Sequence, residues 1–490
     1  MHTMDTTASR PFKATPYWWD DCAFSALPVV PLVPRCDVAI VGGGYAGLSA
    51  AIELARAGCS VQLFDRQAIG QAASGRNGGM ASGSIRPSRK QLIRRFGQSR
   101  ADGILAEGKA ARQDLAAFLE TERVECDFFL SGLFDGAVND REYDEFSRHA
   151  EFLNRFLGIE TSAVPRKEVS RYIGTDFYAG GFVRMDIGGL HPAKLLSGIL
   201  RVARTTDAVI HENTTVLGTS QEAGGVRVAT SRGEVSAKKL LVCTDAYTDG
   251  FDPWLRRRLV PVRSRIIATE PLGESVMDRL MPKKMMHGDT RQLSYYYRPS
   301  PDGTRILFGG RDGTTEGDPL APTTHLRSEL GRIFPELAKM GITHSWFGQV
   351  AMNRDMVPRM FTVGDTVYAT GFCGSVWFGR AGSARRPPSS SLARQRGLSR
   401  LSTSIRHRRQ CRYTLTSLGS SHWFIRSTNE GTNAPCAARR RVPKADLPIS
   451  MIARKASHRE QAGQRHVRLD DRRLQHHERE VLVDADIHVG

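Results

Sequence analysis

Gly42, Gly44 and Gly47 stand at the spacing G-x-G-x-x-G, and a carboxylate, Asp65, follows within the same stretch. This combination suits a pyrophosphate-linked dinucleotide. A glycine at 42 permits a tight turn out of a strand. One at 44 lets backbone N–H groups approach phosphate with no Cβ in the way, and one at 47 lets the next helix pack close to the strand. The helix N-terminus adds unpaired N–H donors and the positive end of its dipole. Asp65 can accept hydrogen bonds from both ribose hydroxyls, and its charge disfavours a 2′-phosphate. Gly43, Tyr45 and Ala46 complete the turn and are counted among its contacts.

The elements that must position these residues are legible around them. Residues 38–41 are a short apolar run ending at Gly42. Leu48, Ala51, Ile52, Leu54 and Ala55 then recur at helical spacing, and Gly58 ends that helix. Val61, Leu63 and Phe64 make a second strand, closed by Asp65. The glycines therefore sit between a strand and a helix, the context that gives the pattern its meaning.

The next stretch, 66–79, runs Arg66, then small residues, then Ser74-Gly75-Arg76-Asn77-Gly78-Gly79. Its small side chains would let backbone lie against a flat ring system. At this point the sequence resembles the FAD-dependent amine and amino-acid oxidoreductases of the D-amino-acid-oxidase superfamily, and within it the γ-glutamylputrescine-oxidase-like enzymes. In that group A-S-G-R-N-G-G follows the second strand and lies along the flavin. Further matches are Tyr17-Trp18-Trp19, Leu190-His191-Pro192, residues 266–271 (IIATEP), Tyr295-Tyr296-Tyr297-Arg298, Phe308-Gly309-Gly310-Arg311 and residues 368–374 (YATGFCG). The resemblance runs from about residue 15 to 375.

The resemblance implies an α/β (α+β) chain with a Rossmann-like FAD-binding domain and a mixed-sheet substrate domain. The FAD domain is expected to be discontinuous, over 36–90, 180–255 and 350–376. The substrate domain takes 91–179 and 256–349, after an irregular leader over 1–35. Val216 is expected beside the adenine. Gly371, Phe372 and Gly374 are expected to lead into a helix whose N-terminus faces the flavin pyrimidine ring. Asp245 stands where the superfamily often has Gly or Asn. The implied reaction is oxidation of a C–N bond in a small amine or amino acid: hydride passes to flavin N5, water hydrolyses the resulting imine, and O2 is reduced to H2O2, or, in a dehydrogenase of the same fold, the electrons pass to a protein or quinone instead. In such chemistry the protein supplies position and charge stabilisation, and no general base is assigned.

On the substrate side, an extended 293–298 would put Tyr296 and Arg298 on one face and Tyr295 and Tyr297 on the other. Tyr296, Arg298 and Arg311 are the candidate catalytic residues, since an arginine grips a carboxylate at two points. Sheet packing with a surface arginine is the competing account. His191 is either a substrate contact or a capping histidine at the start of a helix over 193–204. Tyr17-Trp18-Trp19 reads as an aromatic anchor docked on the body. Residues 90–157 read as helical with a strand pair over 127–137. Residues 226–230 and 234–235 read as a hairpin, and 239–243 as a separate buried strand.

Composition narrows the rest. The chain has 490 residues and eight cysteines without C-x-x-C or metal-ligand spacing, so a reducing cytoplasm fits and no metal is expected. No run reaches the roughly 20 apolar residues of a membrane span. The net charge is +18, but residues 377–490 hold 23 of the 69 Lys+Arg and only 9 of the 51 Asp+Glu. The basic character thus belongs to the tail and says little about the body's substrate.

That tail departs from the family after Ser375, where Arg, Ser and Pro dominate. With GC-rich codons offset by one base, residues from Val376 read as the expected helix, V-V-R-A-R-W-L-G-Q-K-A-A. A shifted reading frame accounts for this, and it would weaken FAD retention. The competing readings are a disordered tail and a basic nucleic-acid-binding extension. The latter lacks a zinc pattern, an RGG motif or regular aromatic interleaving. His476-His477 has no companions at ligand spacing.

Overall fold

The structure, a computed structural model, describes residues 12–291, 295–311 and 320–374, together with the backbone of 414–418 and 422–426. Arg35–Val41 is buried from Cys36 onward, as a central parallel strand must be, because helices cover both faces of such a sheet. It pairs in parallel with Val61–Phe64 on one side and Gly233–Val242 on the other. Val209–His211 extends the parallel set beyond the former, and Thr366–Thr370 beyond the latter. The helices Tyr45–Arg56 and Pro192–Arg204 pack together on this sheet, through Leu48, Ile52, Leu196 and Ile199.

Gly233–Val242 is one continuous strand. Its first half pairs antiparallel with Gly225–Thr230, and its second half enters the parallel core. The expected hairpin arm and separate buried strand are therefore the same element. Arg359–Val363, to which no element was assigned, forms a hairpin with Thr366–Thr370.

A second sheet runs Ile342–Met352, Val260–Thr269, Ile306–Arg311, Tyr296–Pro299, Met286–Asp289, Leu133–Ala137, Gly180–Arg184, Thr161–Pro165. Gly180–Arg184 thus belongs to this sheet, a few residues past the expected domain boundary. Only 133–137 of the expected strand pair is a strand; Phe129 makes an isolated bridge to Gly189, and Gly132 breaks the chain at φ +85°.

The pleat of this sheet sorts its side chains. Phe134, Tyr297, Phe308 and Ile267 lie on one face and form a core with helix Leu320–Ile333. Asp135, Gly288, Tyr296, Gly309 and Ile266 form a cross-strand row on the opposite face. In the other unit of the chain, Thr414–Leu418 pairs antiparallel with His422–Arg426, a hairpin within a tail for which no element was expected. The remainder of the proposed frame-shifted segment, and the expected helix after Gly374, lie outside the described residues.

Candidate active site

The glycine turn has the geometry its spacing requires. Gly42 leaves the strand at φ +105°, a conformation open to glycine, and a Cβ there would lie 2.9 Å from the Cys243 carbonyl oxygen. A Cβ on Gly47 would come within 1.9 Å of the Gly42 carbonyl, so the helix abuts the turn that precedes it. Gly44 is the N-cap of Tyr45–Arg56 and offers no side-chain cap. The first helical amide, Tyr45 N–H, donates to Ser74 Oγ at 3.0 Å. Asp65 accepts from the Gly43 amide at 2.7 Å and the Gln67 amide at 2.9 Å. Burial holds its carboxyl above the usual range despite these donors.

These residues border one cavity of about 530 Å³ that runs from the first sheet to the second. Gly42, Gly44, Tyr45, Ala46, Asp65, Arg66 and Val216 line it on the first-sheet side. Ser74, Arg76, Asn77 and Gly78 line its middle, with Phe372 and Gly374. Tyr296 and Arg311 line it on the second-sheet side. Gly43, Gly47, Gly75 and Gly371 are not in the wall but shape it from behind. Arg66 pairs with Asp249 at 2.8 Å.

The loop 73–79 is held by its carbonyls. Trp19 Nε1 donates to the Gly75 carbonyl at 3.1 Å, Trp346 Nε1 to that of Arg76 at 2.8 Å, and Trp18 Nε1 to that of Asn77 at 2.8 Å. The aromatic leader therefore does more than dock: two of its indoles fix the backbone that borders the cavity. Arg76 lies over the Trp19 ring and donates to the Gln71 carbonyl at 2.6 Å. Asn77 accepts the Gly79 amide at 2.9 Å.

Arg298 belongs to this loop rather than to the cavity. It is on the expected face, but the segments at Gly79 and Leu190 cover it. Its guanidinium is 1% exposed and donates to the Gly79 carbonyl at 2.5 Å and the Leu190 carbonyl at 2.8 Å. Its expected contact with substrate is corrected to a structural pin. His191 caps its helix, accepting the Lys194 amide at 3.1 Å, and its other nitrogen meets Asp21 at 2.9 Å.

Asp245 adopts φ +44°, which explains why Gly or Asn suits this position. Its carboxylate accepts the Gly371 amide at 2.7 Å and the Thr370 hydroxyl at 3.2 Å, so it fastens the turn that leads to Phe372. Cys373 is buried, with Sγ against the Gly371 carbonyl.

At the second-sheet end Tyr296 packs its ring on Gly78, where a Cβ would lie 2.7 Å from the ring edge, and its hydroxyl meets Ser264 Oγ at 3.0 Å. Arg311 and Arg86 share this wall. Burial, and then the positive charge of Arg86, pull the Arg311 guanidinium down to about 10. Arg86 donates from Nε to the Cys373 carbonyl at 2.9 Å. Neither guanidinium has a carboxylate partner among the described residues. Sequence reasoning missed Arg86 and also Asp135, which lines the cavity from the strand Leu133–Ala137. Neither carries a local signal, since only tertiary pairing brings them here.

The residues present fit a flavin dinucleotide. A glycine cradle that a Cβ would fill, the helix N-terminus at Gly44 and the half-buried Asp65 carboxylate lie along one cavity. Comparison with known proteins agrees. Residues 37–385 match the family described as FAD dependent oxidoreductase (DAO). A probable oxidoreductase, OrdL, of Rhizobium meliloti is 31% identical over 376 residues, covering 74% of this chain and 87% of that protein. The gamma-glutamylputrescine oxidoreductase of Escherichia coli is 28% identical over 334 residues, 68% of this chain and 78% of the relative. In fold, the crystal structure of glycine oxidase from Geobacillus kaustophilus superposes with a TM-score of 0.61 at 19% identity, over 77% of this chain and 96% of that one. The chain belongs to the DAO family of FAD-dependent oxidoreductases.

Proposed function

We propose that the protein oxidises the C–N bond of a small amine or amino acid whose acidic end docks at Arg311 and Arg86. The observation that carries this reading is the placement of two guanidiniums without carboxylate partners, the half-buried Arg311 and the more exposed Arg86, and the Tyr296 hydroxyl on one wall of the cavity that begins at the glycine turn. Two neighbouring like charges repel, and an anion between them relieves that repulsion. Two relatives, a gamma-glutamylputrescine oxidoreductase and a glycine oxidase, agree by name with amine or amino-acid substrates.

Bound FAD supplies the two-electron acceptor for the bond that is broken. The chain's own residues do the rest. Gly42, Gly44, Tyr45 and Ala46 would hold the pyrophosphate, and Asp65 the ribose. Val216 would border the adenine, and Ser74, Arg76, Asn77, Gly78, Phe372 and Gly374 the ring system. Arg311, Arg86 and Tyr296 orient the substrate, and the cavity walls exclude water from the reacting bond. O2 is the proposed acceptor, and the proposed location is the cytoplasm. Among the described residues no helix is long and apolar enough to cross a membrane.

The test is to load the full chain with FAD and offer a panel of amines and amino acids. Substrate is expected to bleach the flavin without air, and to yield peroxide and an aldehyde or oxo acid with air. A flavin that no amine or amino acid bleaches would overturn the reading, and bleaching without peroxide would replace O2 with another acceptor. Arg311→Met is expected to raise KM for acidic substrates about 10- to 100-fold, the loss of a charge-assisted pair.

A further inference from the structure

Asp135 is the carboxylate of the cavity wall that the rest of the site does not use. The other four that line it are each satisfied. Asp65 accepts two amides, Asp245 accepts the Gly371 amide, and Asp249 pairs with Arg66. Asp289 pairs with Arg291 at 2.5 Å. Asp135 has neither a hydrogen-bond donor nor an ion-pair partner on its side chain among the described residues. The charges nearest to it are engaged elsewhere: Asp289 with Arg291, and Arg184 with Asp186 at 2.5 Å.

Its position follows from the register. Asp135 pairs with Gly288, and Gly288 pairs with Tyr296. The three share the face of the sheet that floors the cavity. Two strand spacings put the Asp135 and Tyr296 backbones roughly 10 Å apart. The residue between them has no side chain, and Asp135 leans into the space this leaves. A Cβ on Gly288 would lie 2.2 Å from Asp135 Oδ1. The next glycine of the row, Gly309, is filled in the same way by the Tyr296 ring. The floor is thus a shallow trough with a phenol on one side and an unpaired carboxylate on the other. Arg311 and Arg86 supply positive charge at the Tyr296 side.

We propose that Asp135 is a specificity-determining subsite for a distal cation, so that the preferred substrates are diamino acids whose acidic end meets Arg311 and Arg86 and whose second ammonium lies several carbons from the oxidised C–N bond. This deepens the amine-oxidising reading above and rests on it. The chemistry is that of a buried charge: alone it is costly, and paired with an ammonium in the same desolvated trough it is stabilised. Burial and the neighbouring Asp289 push the Asp135 carboxyl up to about 6, as an uncompensated acid requires. A cation seated against it reverses that shift.

Two measurements on the full FAD-loaded chain test this, with lysine and norleucine as probes of equal carbon number. In steady-state assays Asp135→Asn is expected to lower the ratio of kcat/KM for lysine over norleucine about 10- to 100-fold, mainly through the lysine KM, and Asp135→Glu to restore part of it. In equilibrium dialysis the lysine Kd is expected to rise by a similar factor in Asp135→Asn. An unchanged ratio, or an unchanged Kd, overturns the subsite. If lysine binds through Asp135 but no amine or amino acid bleaches the flavin, the oxidase reading fails while the subsite stands. Thermal melts of each variant show that the fold is intact.

Discussion

The Asp245 carboxylate and the Gly371 amide, 126 residues apart in sequence, meet at 2.7 Å and join the two turns that follow neighbouring parallel strands. One turn leaves Gly233–Val242 and the other leaves Thr366–Thr370. Asp245→Ala removes the acceptor and leaves an alanine at φ +44°. A hydrogen bond to a charged group contributes about 1.5–3 kcal/mol, so FAD affinity is expected to fall about 10-fold or more. Asp245→Asn keeps both the acceptor oxygen and a tolerance of positive φ, and is expected to retain most of the affinity. Titration of flavin fluorescence against each apoprotein measures this; equal losses in the two variants would contradict it.

The three indole donors on residues 75–77 predict a shared phenotype. Trp18→Phe and Trp346→Phe keep a ring in place but strand a carbonyl each. An unsatisfied buried acceptor costs about 1–3 kcal/mol. Both variants are expected to unfold at lower urea concentration, and to recover less of that loss on adding FAD than the parent chain does. Urea titrations with and without FAD separate general destabilisation from a specific effect on the loop.

Two glycines inside helices predict opposite outcomes for the same substitution. Gly47→Ala places its Cβ 1.9 Å from the Gly42 carbonyl, and is expected to abolish FAD binding. Gly103, within Gln98–Thr121, has open space around the equivalent position. Gly103→Ala is expected to stabilise the chain by up to about 1 kcal/mol with FAD binding unchanged. Melting curves and flavin content of the two purified variants give the comparison.

Asp135 also predicts a pH dependence of stability. Its carboxyl is raised to about 6 in the folded chain, against roughly 4 when unfolded. The folded state therefore holds the proton more tightly, and ionisation costs stability as pH rises through that window. Asp135→Asn removes the cost. Without substrate, the variant is expected to melt above the parent at pH values beyond about 6 and to match it below about 4. A variant that melts lower than the parent at neutral pH would mean that the charge has a stabilising partner.

The strand–turn–helix–strand of residues 35–65 was legible because each part is local: an apolar run, three glycines at fixed spacing, a helical period and a closing acid. The second sheet was legible as strands, and alternation put Tyr296 and Arg298 on the correct face. Alternation cannot say what lies above that face. Leu190 and Gly79 cover Arg298, while Tyr296 two residues earlier meets the cavity. Gly233–Val242 was misread as two elements because its burial changes midway, from an exposed hairpin arm to a buried parallel strand. Asp135 was silent for a simpler reason. A lone acid in Leu-Phe-Asp-Gly-Ala looks like any strand residue until its neighbours are known to be Gly288 and, beyond it, Tyr296.

The indole clamp on residues 75–77 has a consequence for how the protein is made. The glycine turn and both of its strands exist once residue 64 has been synthesised, but Arg76 receives its donor from Trp346, 270 residues later. At ribosomal rates of roughly 5–20 residues per second, that is a delay of roughly 15–55 s. During it the nascent chain carries a finished phosphate turn beside an unfinished ring site. Ribosome-arrested chains of graded length are expected to take up FAD only after Trp346 and Gly371 have both emerged. Uptake by shorter chains would show that the clamp is dispensable. The cofactor is in this sense a late reporter of synthesis: a nascent chain that captures it has already delivered almost all of its FAD and substrate sheets.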